Sequence, residues 1–344
     1  MSKPLAAAAL AAALLAPAAL ASSGPAIRHA QCLAPHARGC TVDRAVSRPT
    51  GIATAGGTIY VASGVGSQGS LGVFARNART SRLAQIQCVA RRVARCTSGR
   101  GLETPSAVAG SLDGRSVYVT AANGRSVGVY ARSRTGRLVS RGSIAGLGRP
   151  HAVAVSPDGR NVYVGGDRLW ILRRASSGAL VLAGSVARQT TALAVSPDGS
   201  TVYAAGGGGR HGTLASYTRE PDTGALAADV QLDETTTPGL EQPAQLVAMR
   251  DSVYLVSTVS AAVSRYDTTL HQIAIQRGYP TATGLAVTAK YVYVAYRSGI
   301  AVLSRQLERE GTVRLKGATG VAAAGRSIYA VSPGRITAFA RVRG

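Results

Sequence analysis

Lysine is nearly missing from this chain: of its 39 basic residues only Lys3, Lys290 and Lys316 are lysines, and the rest are arginines. Large aromatic rings are as scarce. One tryptophan and two phenylalanines cannot build the stacked-base platforms on which single-strand nucleic-acid binders depend, although tyrosines could serve if exposed. The five histidines sit on separate segments with no pair at ligand spacing, which argues against a metal centre legible as a motif. After the N-terminal stretch no apolar run is long enough to cross a bilayer, because charged residues recur too often. Helical periodicity is missing too. The glycine run from Gly206 to Gly212 lacks the Lys-Ser/Thr of a P-loop and has no helix behind it, so it reads as a turn. A Gly-x-Ser-x-Gly string around Ser126 likewise lacks the helix that a nucleophile elbow needs. No cofactor is called for.

What the chain has instead is a repeat. An aliphatic residue, a tyrosine and another small or aliphatic residue recur at Tyr60, Tyr118, Tyr163, Tyr203, Tyr254, Tyr293 and Tyr329, each after an apolar run and a tight turn. A unit of about 45 residues, rich in strands and without helices, is the size of a propeller blade. The clearest copy runs from His151 to Val164, with Ser156-Pro157-Asp158-Gly159 as the turn between the innermost strand A and strand B. The turn recurs as Ser196-Pro197-Asp198-Gly199 and, altered, as Ser111-Leu112-Asp113-Gly114. The expected fold is all-β: a seven-bladed β-propeller with four-stranded antiparallel blades. Strand C ends in an apolar residue, a spacer and an arginine: Arg76, Arg132, Arg173, Arg219, Arg305 and Arg341, with Arg265 in a less certain register. These arginines are expected to form a ring, each held by its own C-to-D turn in solvent. Strand D is placed at Arg82 to Cys88, Arg137 to Ile144, Ala179 to Val186, Ala225 to Leu232, His271 to Gln276 and Thr312 to Lys316. The last blade is one strand short. Residues Ala26 to Ala34 have the pattern to supply it, which makes the N-terminal segment a clasp that removes an open edge.

Met1-Ser2-Lys3, the Ala/Leu run from Leu5 to Leu20 and the small residues ending at Ala21 form a signal peptide, with an uncleaved anchor as the alternative. Residues 22–344 then make one domain. The four cysteines agree with export to a secreted or cell-envelope location. Cys32 with Cys40 and Cys88 with Cys96 are repeat-equivalent pairs, each preceded by Gln, and of the three connectivities their placement favours the two local disulfides. The net charge of +23 admits two readings: a field for an anionic polymer or cell-envelope component, or composition spread over solvated strands. The closed ring reads as a monomer.

The units from His151 to Val164 and Ala192 to Ala204, with Val117 to Gly124, resemble the repeats of the YVTN and lactonase-type β-propellers. The cysteine loop followed by Gly101-Leu102 and Pro105 is similar to a secreted bacterial variety. The resemblance implies either a sugar-lactone hydrolase or a surface binding protein. For a site it implies only Arg149-Pro150-His151 at the start of the third inner strand. Ligands of such propellers meet the face built from D-to-A and B-to-C loops. The polar residues there are Arg149, His151, Asp167, Arg210, His211, Glu241 and Arg297. A hydrolase would use His151 or Glu241 as base and Arg149 or Arg297 toward an oxyanion or phosphate, whereas Asp167, Arg210 and His211 are ligand-binding candidates. The first reading is a secreted scaffold for ligand or protein binding without catalysis of its own. A lactonase-like hydrolase and a charge-driven polyanion or cell-wall binder are the alternatives.

Overall fold

The computed structural model describes residues 27–35, 39–42, 46–64, 67, 69–207 and 211–341. Seven antiparallel sheets are arranged as blades. Blade 3 shows the plan: strand A is Ala152–Val155, strand B Asn161–Gly165, strand C Leu169–Arg174 and strand D Leu180–Val186, paired in that order. Blades 1 and 2 span residues 49–98 and 105–145, and blades 4, 5 and 6 span 192–233, 243–277 and 284–314. Blade 7 takes strands A to C from 320–341 and its outer strand from Ile27–Ala34.

Local chemistry explains the hairpins. In the blade 3 turn the Ser156 hydroxyl donates to Asp158 Oδ1, the Arg160 amide donates to the same oxygen, and Gly159 sits at φ +70°, where a side chain would be strained. Strand B is buried along its whole length in blade 3, and all seven repeat tyrosines are at most 1% exposed. Burial on both faces follows because each blade packs its B and C strands against the next. Clusters such as Tyr60, Val73, Val119 and Tyr130 join blade 1 to blade 2, and Tyr254, Val256, Leu285 and Val294 join blade 5 to blade 6. The core is thus a ring of inter-blade seams.

The clasp is present. Ile27–Ala34 pairs antiparallel with Arg335–Arg341, from Ile27 opposite Arg341 to Leu33 opposite Ile336, with a bulge between His29 and Gln31. Leu33 then packs with Ile336, Tyr329, Ile59 and Phe74 across the seam between blades 7 and 1. Cys32–Cys40 and Cys88–Cys96 are both disulfides. Each closes a loop that brings a two-residue strand back parallel to strand D: Thr41–Val42 beside Leu33, and Thr97–Ser98 beside Val89. The glutamine before each first cysteine ties adjacent outer strands, since Gln31 accepts from the Leu83 amide and Gln87 from the Leu138 amide, both at 2.7 Å. The expected signal peptide and Ala26 lie outside the described residues, as does Arg210.

Three expectations need correction. In blade 3, Leu172 rather than Ile171 is the residue opposite Val162, so the ring arginine is Arg174, not Arg173. In blade 5, Tyr266 faces Val253, which places Thr268 at the ring position and leaves Arg265 one pleat away, donating to Ser252. Strand D of blade 6 is Arg309–Arg314, not Thr312 to Lys316, because the C-to-D turn closes early at Ser304 to Glu308.

The arginines also do something other than cap their own turns. Each reaches back to the tyrosine of the preceding blade. Arg132 Nε donates to Tyr60 Oη at 2.8 Å and Arg305 Nε to Tyr254 Oη at 2.7 Å, while Arg219 lies beside Tyr163. Arg174 lies beside Tyr118, Arg341 beside Tyr293 and Arg76 beside Tyr329. The turn acids join three of these staples: Asp113 with Arg174 (2.9 Å), Asp158 with Arg219 (2.6 Å) and Asp251 with Arg305 (2.6 Å). Far from being bathed in solvent, the Arg219 side chain is 2% exposed.

Candidate functional site

Strand A begins at the face where D-to-A loops converge on the channel, and a residue at its head, either its second position or the one just before it, points the same kind of group inward in most blades. Thr50, Ser106, Thr191, Thr283 and Thr319 place hydroxyls there, while blade 3 places His151. With Gln245 these residues line a cavity of about 180 Å³ at the channel mouth. Several hydroxyls donate across to the next blade: Ser106 to the Pro150 carbonyl and Thr191 to the Pro243 carbonyl, both at 2.7 Å, and Thr283 to the Thr319 carbonyl at 2.9 Å. Their protons are committed to holding blades together, so the oxygens face a ligand as acceptors. This ring escaped the sequence reading. Its only signal was a hydroxyl residue directly after Pro or a small residue at the head of strand A.

His151 is the one titratable side chain on the cavity wall. Burial, followed by the nearby Arg149 guanidinium, pushes its pKa below the ordinary histidine value against a smaller opposing pull from Asp167. The imidazole is therefore neutral at pH 7 and offers one donor and one acceptor. Arg149, His151 and Asp167 gather at one corner of blade 3, where the Arg149 amide donates to Asp167 Oδ2 at 3.2 Å. Glu241, Arg297 and His211 do not line the cavity. Glu241 lies in the loop between blades 4 and 5, where its amide donates to Ser260 Oγ at 2.9 Å. Arg297 is exposed in the B-to-C turn of blade 6, and His211 is exposed in that of blade 4. Among the described residues no group of three or more His, Cys, Asp or Glu could hold a metal ion. Ser126 opens strand C of blade 2 and is buried.

No protein-family model matches the chain, and no curated protein sequence matches it. Solved structures do. A proposed 6-phosphogluconolactonase of Bacteroides uniformis is 18% identical, with a TM-score of 0.63 over 75% of this chain and 81% of the other. A proposed 6-phosphogluconolactonase of Bacteroides fragilis is 16% identical, with a TM-score of 0.60 over 78% and 83%. The virginiamycin B lyase of Staphylococcus aureus is 12% identical, with a TM-score of 0.63 over 86% and 96%. At these identities the chain shares a fold with proteins described as having quite different activities, and its own residues must carry the functional argument.

Proposed function

We propose that this protein is an extracytoplasmic binding propeller of the lactonase and YVTN type, in which residues 1–21 direct export and residues 22–344 form one monomeric domain. The two disulfides support an oxidising compartment. Among the described residues no helix is long and apolar enough to cross a membrane.

The observation that carries the binding reading is the composition of the channel mouth. Among the described residues its polar lining is hydroxyls, one glutamine and one neutral imidazole, with no carboxylate or guanidinium. Such a wall holds a ligand that donates hydrogen bonds but lacks the acid–base pair of a hydrolase. Its volume of about 180 Å³ suits a small molecule or the tip of a partner, since pockets for drug-sized ligands run to roughly 300–1,000 Å³. A calorimetric screen of sugars and sugar lactones against wild type and His151→Ala tests this reading. Binding without turnover, weakened in the variant, is expected. Hydrolysis that falls with both His151→Ala and Arg149→Ala would replace it with the lactonase reading, which the structural neighbours and the Arg149–His151–Asp167 corner support.

A second reading rests on where the charge lies. Between residues 79 and 141 the chain has twelve arginines and two acids, and eleven of those arginines, all but Arg132, are exposed on blades 1 and 2 and the loop between them. Residues 220–267 reverse the balance, with eight acids and two arginines. Composition alone would scatter the charge. One basic sector is the footprint a polyanion needs.

A further inference from the structure

The junction between blades 4 and 5 is built like the other six but lacks the ring arginine. Thr268 stands at the ring position two residues after Tyr266, and its carbonyl accepts from Tyr203 Oη at 2.9 Å, just as the Arg305 carbonyl accepts from Tyr254 Oη at 2.8 Å. Where a guanidinium would lie there is an open cleft of about 590 Å³, lined by Asp198, Tyr203, Met249, Arg250, Thr268 and Thr269 among others.

The filled junctions show what this position takes. Asp113 and Asp158 each use Oδ1 for the serine and amide of their own turn and keep Oδ2 for an arginine, Arg174 at 2.9 Å and Arg219 at 2.6 Å. Asp198 uses Oδ1 in the same way, for Ser196 and Ser200, and among the described residues its Oδ2 accepts nothing. Tyr203 is 1% exposed and no arginine reaches its hydroxyl. The charged groups acting on that hydroxyl are Asp198, Asp267 and Asp229, all negative. Arg250 is the one cation on the cleft wall, exposed and without a hydrogen bond or ion pair among the described residues. A carboxylate oxygen and a buried phenol, preset for a guanidinium and without one, thus lie within the acidic sector of a strongly basic protein.

We propose that the cleft between blades 4 and 5 is a guanidinium-binding site, on the face opposite the channel mouth, in which Asp198 and Tyr203 receive a guanidinium from outside the chain. The source is either a free guanidino compound or an arginine side chain of a protein partner. Titration of the full-length mature protein with N-acetyl-arginine amide, free arginine and N-acetyl-lysine amide, followed calorimetrically, tests it. The arginine amide is expected to bind saturably. Asp198→Asn should weaken it about tenfold, the loss of one charge-assisted hydrogen bond. Thr268→Arg should abolish binding by filling the slot from within, while melting at or above the wild-type temperature shows that this variant is folded. Equal binding of free arginine points to a small guanidino compound, and preference for the amide, whose carboxylate is masked, points to a peptide. Failure of wild type to bind overturns the proposal, as does equal binding of the lysine amide. Binding that appears only in Arg250→Ala overturns it too, because Arg250 would then be the occupant.

Discussion

His151 differs from every other side chain at the channel mouth in carrying a proton that pH can move. Because burial and Arg149 hold its pKa down, the folded chain disfavours the imidazolium. The stability this group gives is present above the ordinary histidine range and is lost as pH falls through the lowered value. An NMR titration should find His151 below an unperturbed histidine, and Arg149→Ala should move it up; an unchanged midpoint would remove the guanidinium as a cause. The staple tyrosines give a second contrast. Tyr254→Phe loses both the bond to the Arg305 carbonyl and the acceptor for Arg305 Nε, at a cost of about 2–3 kcal/mol, whereas Tyr203→Phe loses only the bond to the Thr268 carbonyl, about 1 kcal/mol. Chemical denaturation of the two variants measures the difference. All seven tyrosines were legible in the sequence as packed strand residues, but their hydroxyl partners were not. Arg132 and Tyr60 belong to different blades, and nothing in a single repeat announces a contact across the seam.

At the scale of the element, the turn acids couple one hairpin to the next. Asp113 is partly buried, which would raise its pKa, yet the Ser111 hydroxyl, then Arg174 and the Arg115 amide, hold its carboxyl down to about 2. Its contribution is therefore present above the ordinary aspartate range and disappears as pH falls toward 2. The melting difference between wild type and Asp113→Asn should be constant near neutrality and vanish in that acid window. Removal of residues 27–42 strips blade 7 of its outer strand, its disulfide and Leu33, and should cost on the order of 5 kcal/mol from lost burial and ladder bonds. A truncated protein that melts with wild type would leave the clasp without a role. The outer strand of blade 7 was readable from the sequence because Ile27–Ala34 carries the strand pattern and following cysteine loop that Leu83–Ala90 also has. The register slip at Arg174 was not, because Trp170-Ile171-Leu172 presents apolar residues on both faces and alternation gives no phase.

Across the whole molecule the charge is divided into sectors, and that division appears only when the repeats are laid around a ring. The exposed arginines of blades 1 and 2 and the acids of blades 4 and 5 are far apart in the chain, and the net charge of +23 conceals both. Retention on an anionic polymer should fall steeply with added salt, and replacing Arg91, Arg92 and Arg95 by glutamine should lower the elution salt more than replacing three arginines elsewhere. Retention that ignores ionic strength would remove the polyanion reading. The channel mouth was half legible: His151 stood out, but the hydroxyl ring did not, since threonine and serine at the head of a strand are unremarkable until seven strands converge.

Blade 7 is assembled from both ends of the chain, and this has a consequence for how the protein comes into being. Ile27–Ala34 leaves the ribosome or a translocation pore long before the strand it must pair with, Arg335–Arg341. Throughout synthesis the first strand waits as an unpaired edge, and blades 1 to 6 stack as an open arc. Arg335–Arg341 shuts it, so a chain cut before residue 335 would have six complete blades and no ring.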